Sequence, residues 1–331
     1  MWVLISTAVL ILIIASYLFL GKAKPAENIS WGVVFSQKHA QLLGLDWQES
    51  YLALLDDLGV RRMKVASYWD YIEKRGGEYD FEDLDWQMAR ASERNAKILL
   101  AIGMKTPRWP ECHIPDWADG LSKEKQQEAI LGLLKEIVVR YDGSDAIWGW
   151  QVENEPFFPF GVCPWVDKDF LEKEVELVKS LDSKNRPVVI TESGEFPLWI
   201  MAARYGDVVG VTMYKKVWVH QIGRHLTYPF PSVFYHRKAE IVRKIFGKDV
   251  ICVELQAEPW GEKLLYDSSL EEQEKTMNLE QFNYNIEFAR NTGISEFYLW
   301  GAEWWFWMKE KQDSPEIWNE AKKLFSENSS L

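Results

Sequence analysis

Two glutamates stand directly behind apolar runs in this chain. Glu155 follows the stretch Ile147–Val152 within Asn154-Glu155-Pro156, and Glu254 follows Val250–Val253. Each run is apolar enough to be a strand buried on both faces. Pro156 has no N–H to donate and stops the first strand. Carboxylates at the carboxyl ends of parallel strands are where barrel and open α/β enzymes keep their chemistry. One carboxyl held protonated can give a proton, and one held ionised can attack a carbon or activate water. Glu153 competes with Glu155, because two-residue spacing puts both on one side of a straight strand. Glu258 competes with Glu254 but falls four residues later, in the following loop.

The elements that must carry these residues alternate along the chain. The strands are expected at residues 32–35, 63–66, 98–101, 147–152, 188–191, 208–212, 250–253 and 296–300. Asp46 and Glu49 have capping-box spacing and open a helix with Tyr51, Leu54, Leu55 and Leu58 at helical intervals, closed by Gly59. A second helix is expected over about residues 84–95. Ser269 and Glu272 cap a long helix before the last strand, and residues 317–325 form a closing helix. Short apolar strands alternating with helices indicate an α/β fold with a parallel sheet and right-handed crossovers. No Pro/Gly/Ser-rich linker or internal repeat interrupts residues 31–331, which are expected to form one domain.

Asn154-Glu155-Pro156 after a tryptophan-rich strand resembles the acid/base motif of the clan A glycoside hydrolases, with families 5, 39 and 42 nearest in character. The resemblance implies a single-domain (β/α)8 TIM barrel and a retaining mechanism on a β-linked oligo- or polysaccharide. Glycosidic bonds are cleaved by two carboxyls flanking the anomeric carbon. In that frame Glu155, ending strand four, is the acid/base, and Glu254, ending strand seven, is the nucleophile. Asn154 resembles the asparagine that binds the substrate 2-hydroxyl. Tyr214, ending strand six, resembles the residue that hydrogen-bonds the nucleophile, and Trp300, ending strand eight, the aromatic floor beneath the reacting sugar. The strand-two segment with Trp69 resembles one in which an arginine precedes the tryptophan; Lys64 stands nearest that place, and Arg62 is the alternative. Trp109 and His113, in a proline-stiffened loop, are candidate cleft residues. Glu258 and Trp260 are candidates after strand seven. Glu303, in an aromatic loop over residues 301–307, is a further candidate sugar ligand. The same site could pass the sugar to another sugar, as a cell-envelope transglycosylase does, or hold glycan without turnover.

Composition bounds the partners. Among 331 residues there are 18 tryptophans, and the net charge is −12. An acidic surface argues against nucleic acid or anionic lipid as the main partner. Tryptophan faces pack on the C–H faces of pyranoses, and their number favours a chain cut internally; about half are expected in the core. The five histidines are scattered, and no Cys/His spacing marks a metal site, so neither metal nor organic cofactor is expected. Of three cysteines, Cys252 lies in a strand, whereas Cys112 and Cys163 follow strands three and four and are a possible disulfide, which would require an oxidising compartment. Residues 2–20 are apolar and uncharged, about 28 Å at helical rise. Residues 1–21 are therefore expected to be a membrane anchor or uncleaved signal contacting the lipid bilayer through 2–20, with residues 22–30 a linker. A single-pass membrane location follows from that expectation. Lys22 and Lys24 after the helix would by the positive-inside tendency place the barrel in the cytoplasm. The glycan-hydrolase resemblance places the catalytic domain outside the cytoplasm, and that placement is the one expected.

Overall fold

The structure, a computed structural model, describes residues 2–328, without the side chains of residues 2–4, 8 and 327–328. Met1 and residues 329–331, the outer ends of the expected anchor and barrel regions, lie outside the described residues. Among the described residues ten strands form: β1 Ser30–Phe35, β2 Arg62–Ala66, β3 Lys97–Ile102, β4 Ile147–Val152, β5 Val188–Glu192, β6 Val208–Met213, β7 Lys216–Val219, β8 Arg224–Thr227, β9 Val250–Gln256 and β10 Glu296–Trp300. All but β7 and β8 close into a barrel in the order β1-β10-β9-β6-β5-β4-β3-β2, and the pairings are parallel. Helices between the strands make this a (β/α)8 barrel. The eight expected strands are these eight, two with the expected ends and the others with ends shifted by one to three residues.

Alternation along each strand sorts the core into two layers. Val34, Leu99, Val189, Ile251, Val253, Tyr298 and Trp300 meet inside the barrel. Val33, Val65, Ile98, Leu100, Ile190, Cys252 and Leu299 face the helices. Among the tryptophans, Trp69, Trp150, Trp199, Trp304, Trp305 and Trp318 are fully buried. Much of the tryptophan content is therefore packing.

Three expectations are corrected, and one unforeseen element is added. The helix capped by Ser269 runs only over Leu270–Glu274, and a second begins at Leu279 with Asn278 as its cap. Residues 301–307 are not a loop: Ala302–Lys311 is a helix that buries Trp304, Trp305 and Phe306. The segment after β6 carries an antiparallel hairpin, β7–β8. The last correction concerns the N-terminus. A helix forms over Trp2–Phe19, but among the described residues no helix is long and apolar enough to cross a membrane. The expected transmembrane helix, and with it the bilayer contact through residues 2–20, is not supported. The carboxyl end of this helix packs on protein instead. Leu18 is buried, the Phe19 ring lies 5.1 Å from that of Phe234, and Arg237 covers the Tyr17 ring at 4.9 Å.

Candidate active site

β4 delivers its acids through a sharp turn. Glu153 and Glu155 both have left-handed backbone, with φ of 58° and 43°, a conformation that is costly for side chains of this kind. The turn separates the two glutamates. The Glu153 carboxylate turns towards the loop after β3 and accepts the N–H groups of Met104 (2.8 Å) and Lys105 (2.6 Å). Gly103 stands against it, where a Cβ would collide with that carboxylate. Glu153 is thus committed to holding two loops together. Glu155 turns towards β6: its N–H donates to Thr191 Oγ1 at 2.6 Å, and its Oε1 accepts the Thr212 hydroxyl at 3.2 Å.

Glu254 reaches the interior through a bulge. On the β6 side, Val211 pairs with Cys252 but Thr212 pairs with Glu254; on the β10 side, Phe297 pairs with Cys252 but Leu299 pairs with Leu255. One extra residue is thus absorbed on both flanks of β9. Strict alternation would point Glu254 outward with Cys252, but Leu255 takes the outward place instead. The bulge re-aims the carboxylate into the barrel mouth. There Glu254 Oε1 accepts from Lys64 Nζ at 2.8 Å and Oε2 from the Tyr214 hydroxyl at 3.0 Å. Thr212 links the two acids: it is the register partner of Glu254, and its hydroxyl touches Glu155.

The environment drives the carboxyls apart. Burial pushes the Glu155 carboxyl up to about 8, assisted by the nearby negative charges of Glu254, Glu111 and Glu195 and opposed by Lys105. Glu254 has its counter-charge in Lys64, which is fully buried. Asn154 joins the group through Lys64 and Glu111. Its Oδ1 accepts from Gln151 Nε2 at 3.0 Å and lies 3.5 Å from Lys64 Nζ; its Nδ2 donates to Glu111 Oε2 at 3.1 Å. Burial raises Glu111 to about 7.

A second polar group lies beside this site. The Arg108 guanidinium is ion-paired to Glu258, with Nη2 at 3.0 Å from Oε2, and to Glu303 Oε2 at 3.0 Å. It lies 3.9 Å above the centre of the Trp300 ring, and Trp300 Nε1 donates to Glu258 Oε1 at 2.8 Å. Burial, with Glu258 beside it and Arg108 opposing, brings Glu303 up to about 7.

The sequence candidates therefore divide. Glu254, Asn154 and Tyr214 meet in one hydrogen-bonded group through Lys64, and Glu155 lies next to it across Thr212. Trp260 is half-buried and sets its edge on Tyr214 at 5.0 Å, and Trp109 is 49% exposed at the rim. Glu258, Glu303 and Trp300 belong to the Arg108 group, so the upper face of Trp300 is covered. Trp69 is not at the mouth: it is fully buried, donates to Glu73 Oε2 at 2.7 Å and meets the edge of Trp117. His113 is buried between Lys38 Nζ (2.9 Å) and the Arg108 carbonyl (3.1 Å); burial and the Lys38 charge lower it to about 3, so it stays neutral. Cys112 and Cys163 form a disulfide joining the loops after β3 and β4, and Cys252 is free and buried. Sequence reasoning left out Arg108, Glu111 and Thr212 and named Lys64 only as the residue nearest the place of an expected arginine. Only Lys64 had a signal, a basic residue at an inward position of a strand. Among the described residues no His/Cys/Asp/Glu group has the makings of a metal site.

A closed parallel barrel with two carboxyls at the carboxyl ends of β4 and β9 defines the class of site, and comparison with known proteins agrees with the fold. The structure is similar to a β-galactosidase from the Antarctic haloarchaeon Halorubrum lacusprofundi (TM-score 0.61, 14% identity, 92% of this chain and 58% of that one). It is also similar to an endo-β-1,4-xylanase of glycoside hydrolase family 10 from Gloeophyllum trabeum (TM-score 0.55, 15% identity, 83% of this chain and 85% of that one). In sequence, the chain is 26% identical over 167 residues to the β-galactosidase BgaA of Clostridium cellulovorans, covering 44% of this chain and 25% of that protein. The chain thus spans about a quarter of that curated relative and little more than half of the haloarchaeal structure. No protein-family profile matches it. The structural neighbours are glycoside hydrolases, and at these identities the likeness establishes the fold.

Proposed function

We propose that the protein is a retaining glycoside hydrolase acting on a β-linked glycan. The observation that carries this reading is the pairing of unlike carboxyls across Thr212: Glu155, raised to about 8, keeps its proton at neutral pH, and Glu254 is ion-paired to Lys64 at 2.8 Å. In the first step a Glu254 oxygen attacks the anomeric carbon. The bond to the leaving sugar breaks, its electron pair goes to the glycosidic oxygen, and that oxygen takes the Glu155 proton. In the second step Glu155 accepts a proton from water. The water oxygen attacks the same carbon, and the bond to Glu254 breaks. Asn154, beside the Lys64 that pairs with Glu254, is suited to bind a hydroxyl next to the reacting carbon. Tyr214 holds the Glu254 carboxylate in line.

The test is turnover of β-linked glucans, mannans, xylans and galactans by the full chain, with product anomers followed by NMR. The β-anomer should appear first, and Glu155→Gln and Glu254→Gln should both lose it. An α-anomer appearing first would reject the retaining step. Glycan binding that is equal in the wild type and Glu254→Gln, without turnover, would reject hydrolysis. We also propose that the barrel works in an oxidising, extracytoplasmic compartment, supported by the Cys112–Cys163 disulfide. Expression with and without export, followed by thiol counting, tests that; a fully reduced pair in the native protein would reject it.

A further inference from the structure

Trp300 sits where a sugar ring would be expected to stack, yet a guanidinium already covers that face at 3.9 Å. Arg108 comes from the loop after β3, Glu258 from the loop after β9, and Glu303 from the helix after β10. In barrel order β3 and β9 flank β2, β1 and β10. The ion pair from Arg108 to Glu258 therefore runs over the carboxyl ends of those three strands. Glu303 adds a tie to β1, because its Oε1 accepts the Ser36 N–H. His39 Nε2 lies 3.6 Å from Glu258 Oε2, and burial together with the Arg108 charge lowers it well below its ordinary value.

The bar is braced from behind. The Arg108 carbonyl is 3.1 Å from His113 Nε2, and the same loop is linked through Cys112 to Cys163. Swinging Arg108 aside would leave buried carboxylates unpaired, which is costly. The opposite half of the mouth differs. After β4 and β5 the loops present Phe158, Phe196 and Leu198 to solvent. Glu155 and Tyr214 lie on that side, at the ends of β4 and β6.

A polysaccharide cut internally must leave the site at both ends, whereas a chain end needs one opening. We propose that Arg108 closes one end of the site and restricts it to the terminal sugar of a β-linked chain. The inference rests on the hydrolase reading above. It replaces the expectation of internal cutting, whose basis was a tryptophan content that is in large part core. Arg108 is a specificity-determining residue here, and not a catalytic one.

The experiment gives the full chain an end-labelled hexasaccharide of whichever linkage turns over, and follows early products by mass. Wild type should release monosaccharide and pentasaccharide alone. Arg108→Ala should add di-, tri- and tetrasaccharides, raising their share by about tenfold or more. Should Arg108→Ala fail to fold, Arg108→Lys keeps the charge but loses the two-pronged pairing and should show the same change more weakly. Internal products from the wild type overturn the inference while leaving the hydrolase reading intact. Folded variants that still release only monosaccharide overturn the role of Arg108. Absence of turnover on every glycan removes the hydrolase reading and this inference together.

Discussion

Two groups of one base, one glutamate and one tyrosine share this barrel, their bases two residues apart on β2. At the lower end Arg62 pairs with Glu296 at 3.1 Å, and the Tyr298 hydroxyl donates to the same Glu296 oxygen at 2.8 Å. At the upper end Lys64 pairs with Glu254 at 2.8 Å, and the Tyr214 hydroxyl donates to it at 3.0 Å. The residue types are nearly the same, but the surroundings are not. The Arg62 side chain is one-third exposed, and Trp148 caps the lower group by donating to the Tyr298 hydroxyl at 3.0 Å. The upper pair is sealed from water and crowded by Glu155 and Glu111, whose charges press on one another. Removal from water and carboxylate crowding, rather than composition, distinguish a stabilising cluster from a reactive one.

The strongest way to break this contrast is to neutralise the two glutamates in turn. Glu254→Gln should lower kcat by on the order of 10⁴ or more, the scale seen when a nucleophile is removed, while Glu296→Gln leaves kcat unchanged. Equal losses in steady-state assays would erase the distinction. Next come the bases. Lys64→Met leaves a buried carboxylate without its counter-charge and should cost about 3–5 kcal/mol in urea unfolding, with activity down roughly 10²-fold. Arg62→Met, at a partly exposed pair, should cost about 1 kcal/mol or less. A similar cost for both would show that burial is not the deciding variable.

The pH profile sharpens the comparison further. Glu155 must carry its proton to act as an acid, so kcat/KM should fall as pH rises through about 8. Glu111→Gln removes a charge that holds Glu155 up and should move that limb to lower pH; an unmoved limb would disconnect the two. The same group also makes stability depend on pH. The folded state retains the Glu155 proton up to about 8, whereas the unfolded chain releases it near its ordinary value, 4.5. Stability is therefore lost as pH rises through that window. Glu155→Gln should flatten this slope and gain most at pH 8, read as urea midpoints at pH 5 and 8.

Most of the barrel was legible because its strands are short apolar runs punctuated by turns, a local signal. Glu155 and Glu254 were legible for the same reason, since each ends such a run. What was not legible depends on residues far apart in sequence. Lys64 and Glu254 are 190 positions apart, and Arg108 and Glu303 are 195; no local pattern announces such pairs. Trp69 looked like a cleft residue because tryptophan suits sugars, but its ring serves equally well in the core. The helix over Ala302–Lys311 was hidden because its apolar residues run consecutively instead of at helical spacing. The split after Glu274 was missed because the cap at Ser269 says where a helix starts and nothing about where it ends.

The bulge in β9 makes the parity of a strand decisive for this site. A chain of the same length that kept strict alternation here would still offer an apolar strand to the same neighbours, yet its glutamate would sink into the oil between sheet and helices. Gapless comparison of such a chain with this one would match the letters and misjudge the chemistry. Deleting Val253 should therefore restore plain alternation and still aim the glutamate into the barrel, so the strand should tolerate loss of a residue here better than elsewhere.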